Sequence, residues 1–114
     1  MQKKIVVFTA NYYPEDTAIG LYTSQFVNFL KDKNYDITVI TGFPYYPKWE
    51  ILDTYKNEKH FFTEIIHGVT IIRYKQFVPK NVSFFGRIRL MLSLLFGTLI
   101  NLRKIKSCDA IICI

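Results

Sequence analysis

Two loops rich in tyrosine and proline carry side chains well suited to bind a ligand. The first, NYYPE at residues 11–15, follows an apolar strand and leads to Gly20 at the start of a helix. Free backbone N–H groups and the helix dipole at such a helix start attract an anionic group. The second, GFPYYPKW at residues 42–49, follows the next apolar strand. We expect the first loop to be part of a substrate site.

The chain alternates between strand and helix signals, which is typical of an α/β fold. Continuous apolar runs mark the strands, as expected for a parallel sheet that is covered on both faces. His67 and Gly68 separate two β-rich runs and predict a tight hairpin. The sequence therefore predicts a Rossmann-like parallel sheet with flanking helices and a small hairpin. The predicted strands are residues 4–9, 36–41, 61–66, 69–74 and 109–114, and the predicted helices are residues 17–33 and 83–106.

The ends and the buried face of the first helix can also be predicted. Asp16 or Thr17 is a suitable N-cap. Asn34 lies where a helix end needs a residue in the left-handed conformation. The helix has aromatic and aliphatic residues at the spacing of one buried face. These residues are Tyr22, Phe26, Phe29 and Leu30.

Composition and motifs narrow the class of protein. The 114 residues, half of them hydrophobic, are enough for one core and one domain. A dinucleotide site needs G-x-G-x-x-G after the first strand and an acid at the end of the second. Here the first loop has only Gly20 and the second strand ends in Thr41-Gly42, so we do not expect NAD or FAD. The cysteines and histidines have no metal-site spacing, and we expect neither a cofactor nor a metal.

These motifs together resemble the N-terminal domain of a family 4 (group 1) retaining glycosyltransferase, an enzyme with the GT-B fold. The resemblance rests on the NYYPE loop with Gly20, on the strand YDITVIT at residues 35–41, and on PYYPKW at residues 44–49. It covers nearly the whole chain. Within the family, the chain is most similar to bacterial exopolysaccharide enzymes related to colanic acid synthesis.

The resemblance implies the acceptor-side, Rossmann-like domain of a two-domain enzyme. On this basis residues 1–114 form one incomplete domain, the donor-binding domain is absent, and the chain alone is inactive. Gly20 matches the family glycine whose backbone approaches the donor diphosphate, and the alternative is a glycine that serves only to start the helix. The implied acceptor-binding residues lie on the two loops, where a self-packed aromatic loop is the alternative. They are Tyr13, Pro14, Glu15, Tyr45, Tyr46, Lys48 and Trp49.

All of the positive excess of the chain lies in one block. Residues 73–106 contain eight Lys or Arg and no Asp or Glu, and the whole chain has a net charge of +6. The apolar centre, residues 90–102, is shorter than the ~20 residues of a membrane span, so we expect it not to cross a bilayer. An apolar helix with cationic ends suits an anionic membrane surface, and a helix buried against the sheet and the absent second domain is the alternative. The expected membrane-surface residues are Arg87, Arg89, Arg103, Lys104 and Lys106.

The expected function is acceptor binding in a glycosyltransferase of bacterial surface polysaccharide synthesis. The expected partners are a nucleotide-sugar, a lipid-linked saccharide and the anionic inner face of the cell membrane, reached from the cytoplasm. One alternative is a non-catalytic membrane-docking subunit that completes a split glycosyltransferase with a second polypeptide. The other is a nucleic-acid-binding module, which is disfavoured because the interior of the basic block is aliphatic instead of basic and aromatic.

Overall fold

A five-stranded sheet with one helix on each face forms the computed structural model, which describes residues 2–81, 83–105 and 107–114. Two single 3₁₀ turns, Asp53–Tyr55 and Leu102–Lys104, complete the regular structure of these residues. The strands are β1 (Lys4–Phe8), β2 (Asp36–Gly42), β3 (Phe61–Ile66), β4 (Val69–Tyr74) and β5 (Ala110–Cys113), and the helices are α1 (Ala18–Asp32) and α2 (Phe84–Asn101).

The strands lie in the order β3-β4-β2-β1-β5 across the sheet. β1 pairs in parallel with β2 on one side and with β5 on the other. β4 pairs in parallel with β2, and only β3 is antiparallel to its neighbour β4. The predicted α/β class and Rossmann-like sheet are confirmed. Because β1 and β2 are parallel, the loops that follow them emerge at the same edge, where open α/β sheets bind ligands.

Backbone conformation confirms two predicted turns. Asn34 has a φ of 70° at the end of α1, as the predicted left-handed helix end requires. His67 and Gly68, with φ of 53° and 77°, connect β3 to β4. Two consecutive residues with positive φ are the signature of a tight hairpin turn. The strands on either side have the predicted bounds.

The core is divided between the two faces of the sheet, because successive residues of a strand point to opposite faces. On one face Val7 of β1 packs in a cluster with Val27 of α1. On the other face Val6 and Ile40 form a smaller cluster, against which Leu94 of α2 packs.

α1 does not bury the face that its aromatic residues predicted. Tyr22, Phe26 and Phe29 are 68%, 40% and 55% exposed, and only Leu30 packs against the core. The physical reason is that small side chains let the helix approach the sheet closely, and their hydroxyl groups can be hydrogen-bonded. Ser24 Oγ, for example, donates to the Gly20 carbonyl at 2.7 Å. The buried residues of α1 are Gly20, Thr23, Ser24 and Val27.

α2 turns a narrow stripe of small and polar residues towards the sheet. Gly97 lies directly against the ring of Tyr74, whose hydroxyl is 3.1 Å from Thr98 Oγ1. Ser93 Oγ accepts a hydrogen bond from the Phe77 N–H at 3.0 Å. Leu90 and Leu94 also pack inward, and the other large apolar residues of this helix consequently face solvent. They are Phe84, Phe85, Ile88, Met91, Leu92, Leu95, Phe96, Leu99 and Ile100.

The helical segment Phe84–Lys104 is longer than its apolar centre suggested. It has 21 residues and, by length and composition alone, is long and apolar enough to cross a membrane. The short apolar centre therefore does not by itself exclude a span, and the prediction that the segment does not cross a bilayer stays a prediction. A buried core helix would pass the same test, but only 17% of the most apolar window of this segment is buried.

Candidate functional site

A cavity of about 290 Å³ opens at the carboxyl edge of the sheet. It lies between the first loop, residues 9–17, which follows β1, and the aromatic loop, residues 43–52, which follows β2. The structure thus brings together the two segments that the sequence singled out. Of the predicted acceptor-binding residues, Tyr13 and Trp49 do not line this cavity. The lining residues are Pro14, Glu15, Asp16, Pro44, Tyr45, Tyr46, Pro47, Lys48, Glu50 and Leu52.

A single carboxylate joins the two loops. Glu15 Oε2 accepts hydrogen bonds from the backbone N–H of Tyr45 at 2.9 Å and of Tyr46 at 2.6 Å. Glu15 is only 6% exposed. Its Oε1 is also buried and has no hydrogen-bond partner among the described residues. Hydrogen bonds from N–H groups to an ionised carboxylate are stronger than those between neutral groups. Glu15 therefore forms part of the base of the cavity.

Gly20 packs against the same glutamate. A Cβ atom placed on Gly20 would lie 2.7 Å from Glu15 Cβ and 3.2 Å from Glu15 Oε1. Atoms this close overlap, so a residue with a side chain would displace Glu15 or α1. The packing gives a structural reason for glycine at this position. It also shows that the side of Gly20 where a side chain would project is occupied by the first loop.

Arg73 of β4 connects the first loop to the end of β2, where the aromatic loop begins. Its guanidinium donates to the carbonyl of Gly42 at 2.9 Å and to the carbonyl of Tyr13. The side chain is fully buried, and Nε lies 3.5 Å from Glu64 Oε2. Burial lowers the pKa of Arg73 from its ordinary value, because desolvation disfavours the charged form. In the sequence, Arg73 belongs to the basic block of residues 73–106. In the structure it lies inside the core and supports the site from there.

The aromatic loop is packed around Trp49. The Trp49 ring meets the rings of Tyr45 and Tyr46 edge-on, at centroid distances of 5.6 and 6.3 Å. Tyr45 is buried, and burial raises the pKa of its hydroxyl. Tyr46 is 39% exposed, and Trp49 is half-buried. The loop is therefore self-packed and still presents aromatic surface to solvent.

Charged side chains surround the mouth of the cavity. Asp16 and Lys48 are exposed on opposite loops. Glu50 forms an ion pair with Lys56 at 2.5 Å, and Asp53 pairs with the same lysine at 2.8 Å. Hydrogen bonding to Lys56 lowers the pKa of the Asp53 carboxyl. Across the described ranges, no three His, Cys, Asp or Glu side chains lie close enough together to hold a metal ion.

The predicted membrane-surface residues lie at the two ends of α2. The Arg87 guanidinium lies over the Trp49 ring at 5.9 Å, which places the start of α2 beside the aromatic loop. Arg89 stacks on Phe77 at 4.1 Å. Arg103 and Lys104 are exposed at the other end of the helix, and Lys106 lies outside the described residues.

The fold is that of a Rossmann-like half-domain, with a cavity at the carboxyl edge of its sheet. No protein-family model matches the chain, and no solved structure matches it at a significant level. Over 85 residues, 75% of its length, the chain is 36% identical to an Escherichia coli (strain K12) protein described as "Putative colanic acid biosynthesis glycosyl transferase WcaI". It spans 20% of the length of that protein. The identity supports a relationship to glycosyltransferases of this type.

Proposed function

We propose that this chain is the acceptor-side portion of a family 4 GT-B glycosyltransferase that acts in bacterial surface polysaccharide synthesis. The main support is its 36% identity to a protein described as a colanic acid biosynthesis glycosyl transferase. The Rossmann-like sheet and the cavity at its carboxyl edge are what an acceptor-binding domain requires. The donor in this proposal is a nucleotide-sugar, and the acceptor is a saccharide linked to a lipid.

The accessible residues at the cavity suit a saccharide. The Tyr46 ring and the Pro14 ring can pack against the apolar face of a sugar, and the Lys48 ammonium can meet a phosphate of the acceptor. Tyr13 and Trp49 extend this surface beyond the cavity. The donor diphosphate in this proposal approaches the first turn of α1, where the helix dipole and the backbone N–H groups attract an anion.

Chemical-shift mapping tests the acceptor role. The ¹⁵N-labelled chain is titrated with a panel of methyl glycosides and oligosaccharides, and in parallel with UDP and GDP. We expect the saccharides to shift amide signals of the aromatic loop and of residues 13–16, while the free nucleotides do not. Shifts of these signals by a nucleotide but by none of the saccharides would contradict the acceptor role. Saturable binding of a single-stranded oligonucleotide would favour the nucleic-acid alternative.

We also propose that α2 lies on the anionic surface of the cytoplasmic membrane. Its outward face is almost entirely apolar, and four cations, Arg87, Arg89, Arg103 and Lys104, lie at its ends. The inward face packs on Tyr74 and Phe77, so only one face is available to lipid. A helix with one apolar face and flanking cations binds in the interfacial plane of an anionic leaflet. A lipid-linked acceptor would be reached there.

Vesicle flotation tests the membrane surface. The chain is mixed with vesicles of neutral lipid alone or of neutral and anionic lipid, and floated at low and high salt. We expect more than about 30-fold stronger binding to anionic vesicles, reduced by salt, because each Lys or Arg near the surface adds about 1 kcal/mol. Arg103→Glu with Lys104→Glu should weaken binding by about 30-fold or more, because it removes two of these cations. The matched control, Lys31→Glu with Lys33→Glu, changes the net charge equally but lies at the end of α1, which packs on the opposite face of the sheet from α2. Equal losses in the two double variants would contradict a specific role of α2.

A further inference from the structure

We propose that Glu15 is a positioning residue, which holds the aromatic loop in its binding shape through Tyr45 and Tyr46 and does not itself contact the sugar. This inference rests on the proposed acceptor role of the cavity. The resemblance implied that Glu15 binds the acceptor directly. The geometry points instead to an indirect role, because the carboxylate is directed into the protein and engages the loop backbone.

The hydrogen bonds of Glu15 attach it directly to the backbone of the aromatic loop. One oxygen, Oε2, accepts from two consecutive backbone N–H groups, at 2.9 and 2.6 Å. Tyr45 is buried, so without the carboxylate its N–H would lose its partner away from water. A buried donor without a partner costs roughly 1–3 kcal/mol. The loop therefore has a strong reason to stay where Glu15 places it.

The burial of Glu15 argues against a direct contact with a ligand. With 6% of its surface exposed, the residue has little area left for a ligand. The loop that it fixes does have accessible groups, since Tyr46 is 39% exposed and Lys48 is also exposed. The Trp49 ring packs against both tyrosine rings and so links the rest of the loop to them. Moving the Tyr45 and Tyr46 backbone consequently moves the whole accessible surface of the loop.

Glu15 differs from the neighbouring carboxylate, Asp16, in its burial. Asp16 also lines the cavity but is exposed to solvent. If a negative charge at the cavity were what mattered, the two carboxylates would be equivalent. If the attachment of the loop is what matters, only the replacement of Glu15 will change the conformation of the aromatic loop. The pair therefore provides a matched comparison within one cavity.

The experiment compares Glu15→Ala, Glu15→Gln and Asp16→Asn with the unaltered chain. Trp49 is the sole tryptophan of the chain, so its fluorescence and acrylamide quenching report on the aromatic loop without any ligand. Amide hydrogen exchange of Tyr45 and Tyr46 reports on the two hydrogen bonds. The binding of methyl glycosides is measured by chemical-shift titration, and flotation with anionic vesicles serves as a readout that the loop should not affect.

In Glu15→Ala we expect faster exchange of the two amides, increased quenching of Trp49 and about tenfold weaker sugar binding, because binding must then also order the loop. In Glu15→Gln the amide oxygen can still accept, so exchange should accelerate less and affinity should fall only about threefold. Asp16→Asn should leave quenching and exchange unchanged. Vesicle binding should not fall by more than about twofold in any of the three variants, because the apolar outward face of α2 and its cations Arg103 and Lys104 lie away from the aromatic loop.

Three results would overturn the inference. The first is a folded Glu15→Ala chain with unchanged quenching and amide exchange. The second is a change of Trp49 quenching and of the exchange of the two amides in Asp16→Asn as large as in Glu15→Ala. If Glu15→Ala does not fold, Glu15→Gln decides, and unchanged amide exchange in that variant is the third. Failure of the unaltered chain to bind any saccharide would instead count against the acceptor role, since quenching and exchange are measured without sugar.

Discussion

Glu15 occupies the space where a side chain on Gly20 would project, with only 2.7 Å between its Cβ and the position of a Cβ on Gly20. The glycine at the start of α1 and the carboxylate that fixes the aromatic loop are thus parts of one packing arrangement. The first loop folds back onto the first turn of the helix, and the second loop is attached to the first. The packing of Glu15 on Gly20 explains why the NYYPE motif and the glycine occur together.

Gly20→Ala should destabilise the fold. The added methyl group overlaps Glu15, and overpacking of this kind costs about 1–3 kcal/mol, partly offset by the better helix propensity of alanine. We expect a net loss of about 1–2 kcal/mol in the free energy of unfolding, measured with urea. The control is Ala18→Gly at the same helix start. Ala18 has a φ of 50°, so glycine there should not destabilise the chain. Equal losses from both changes would contradict the packing argument.

Arg73 should be more important for stability than its place in a basic block suggests. Arg73→Met removes the hydrogen bonds to Gly42 and Tyr13 and leaves Glu64, 15% exposed, without its cation. Breaking a buried ion pair from one side costs about 3–5 kcal/mol. Arg73→Lys keeps the charge but loses the planar geometry that serves two carbonyls, so we expect an intermediate loss. Urea unfolding measures both variants, and a Met variant as stable as the unaltered chain would refute the supporting role of Arg73.

The elements of the fold could be predicted because local signals and tertiary packing agree. Asn34 and His67-Gly68 have the conformations that their residue types favour, and the apolar runs became strands within one or two residues of their predicted bounds. The two segments of the site could be predicted for the same reason. Parallel strands place their following loops at one edge, so the motifs at residues 11–15 and 44–49 had to meet.

The faces of the helices could not be predicted in the same way. Helical periodicity identifies a stripe but assumes that the large apolar residues point inward. In α1 the small stripe around Val27 packs closer to the sheet than Tyr22 or Phe26 would allow. In α2 the stripe with Ser93 and Gly97 does the same. The role of Arg73 was also beyond the sequence, because its partners come from distant positions in the chain.

The inward stripe of α2 gives a prediction that separates stability from membrane binding. A methyl group on Gly97 would overlap the Tyr74 ring, so Gly97→Ala should lower the free energy of unfolding by about 1–3 kcal/mol. Leu99 is 49% exposed on the outward face. Leu99→Ala should change stability by less than about 0.5 kcal/mol and weaken vesicle binding severalfold. Urea unfolding and flotation measure the two effects. A loss of stability in Leu99→Ala as large as in Gly97→Ala would mean that the outward face is buried in solution.

Stability should fall in alkali because a buried tyrosine keeps its proton. Tyr12 is 4% exposed, and burial raises its pKa to about 12 from the ordinary 10.0. Between these two values the unfolded chain loses the phenolic proton while the folded chain retains it, so rising pH favours unfolding. The contribution of Tyr12 is therefore fully present below pH 10 and is lost as the pH approaches about 12, by up to roughly 2 kcal/mol. Tyr12→Phe removes this term, and urea unfolding at about pH 9 and pH 11 should show a smaller drop than in the unaltered chain. Identical drops in the two chains would show that Tyr12 ionises equally in the folded and unfolded states.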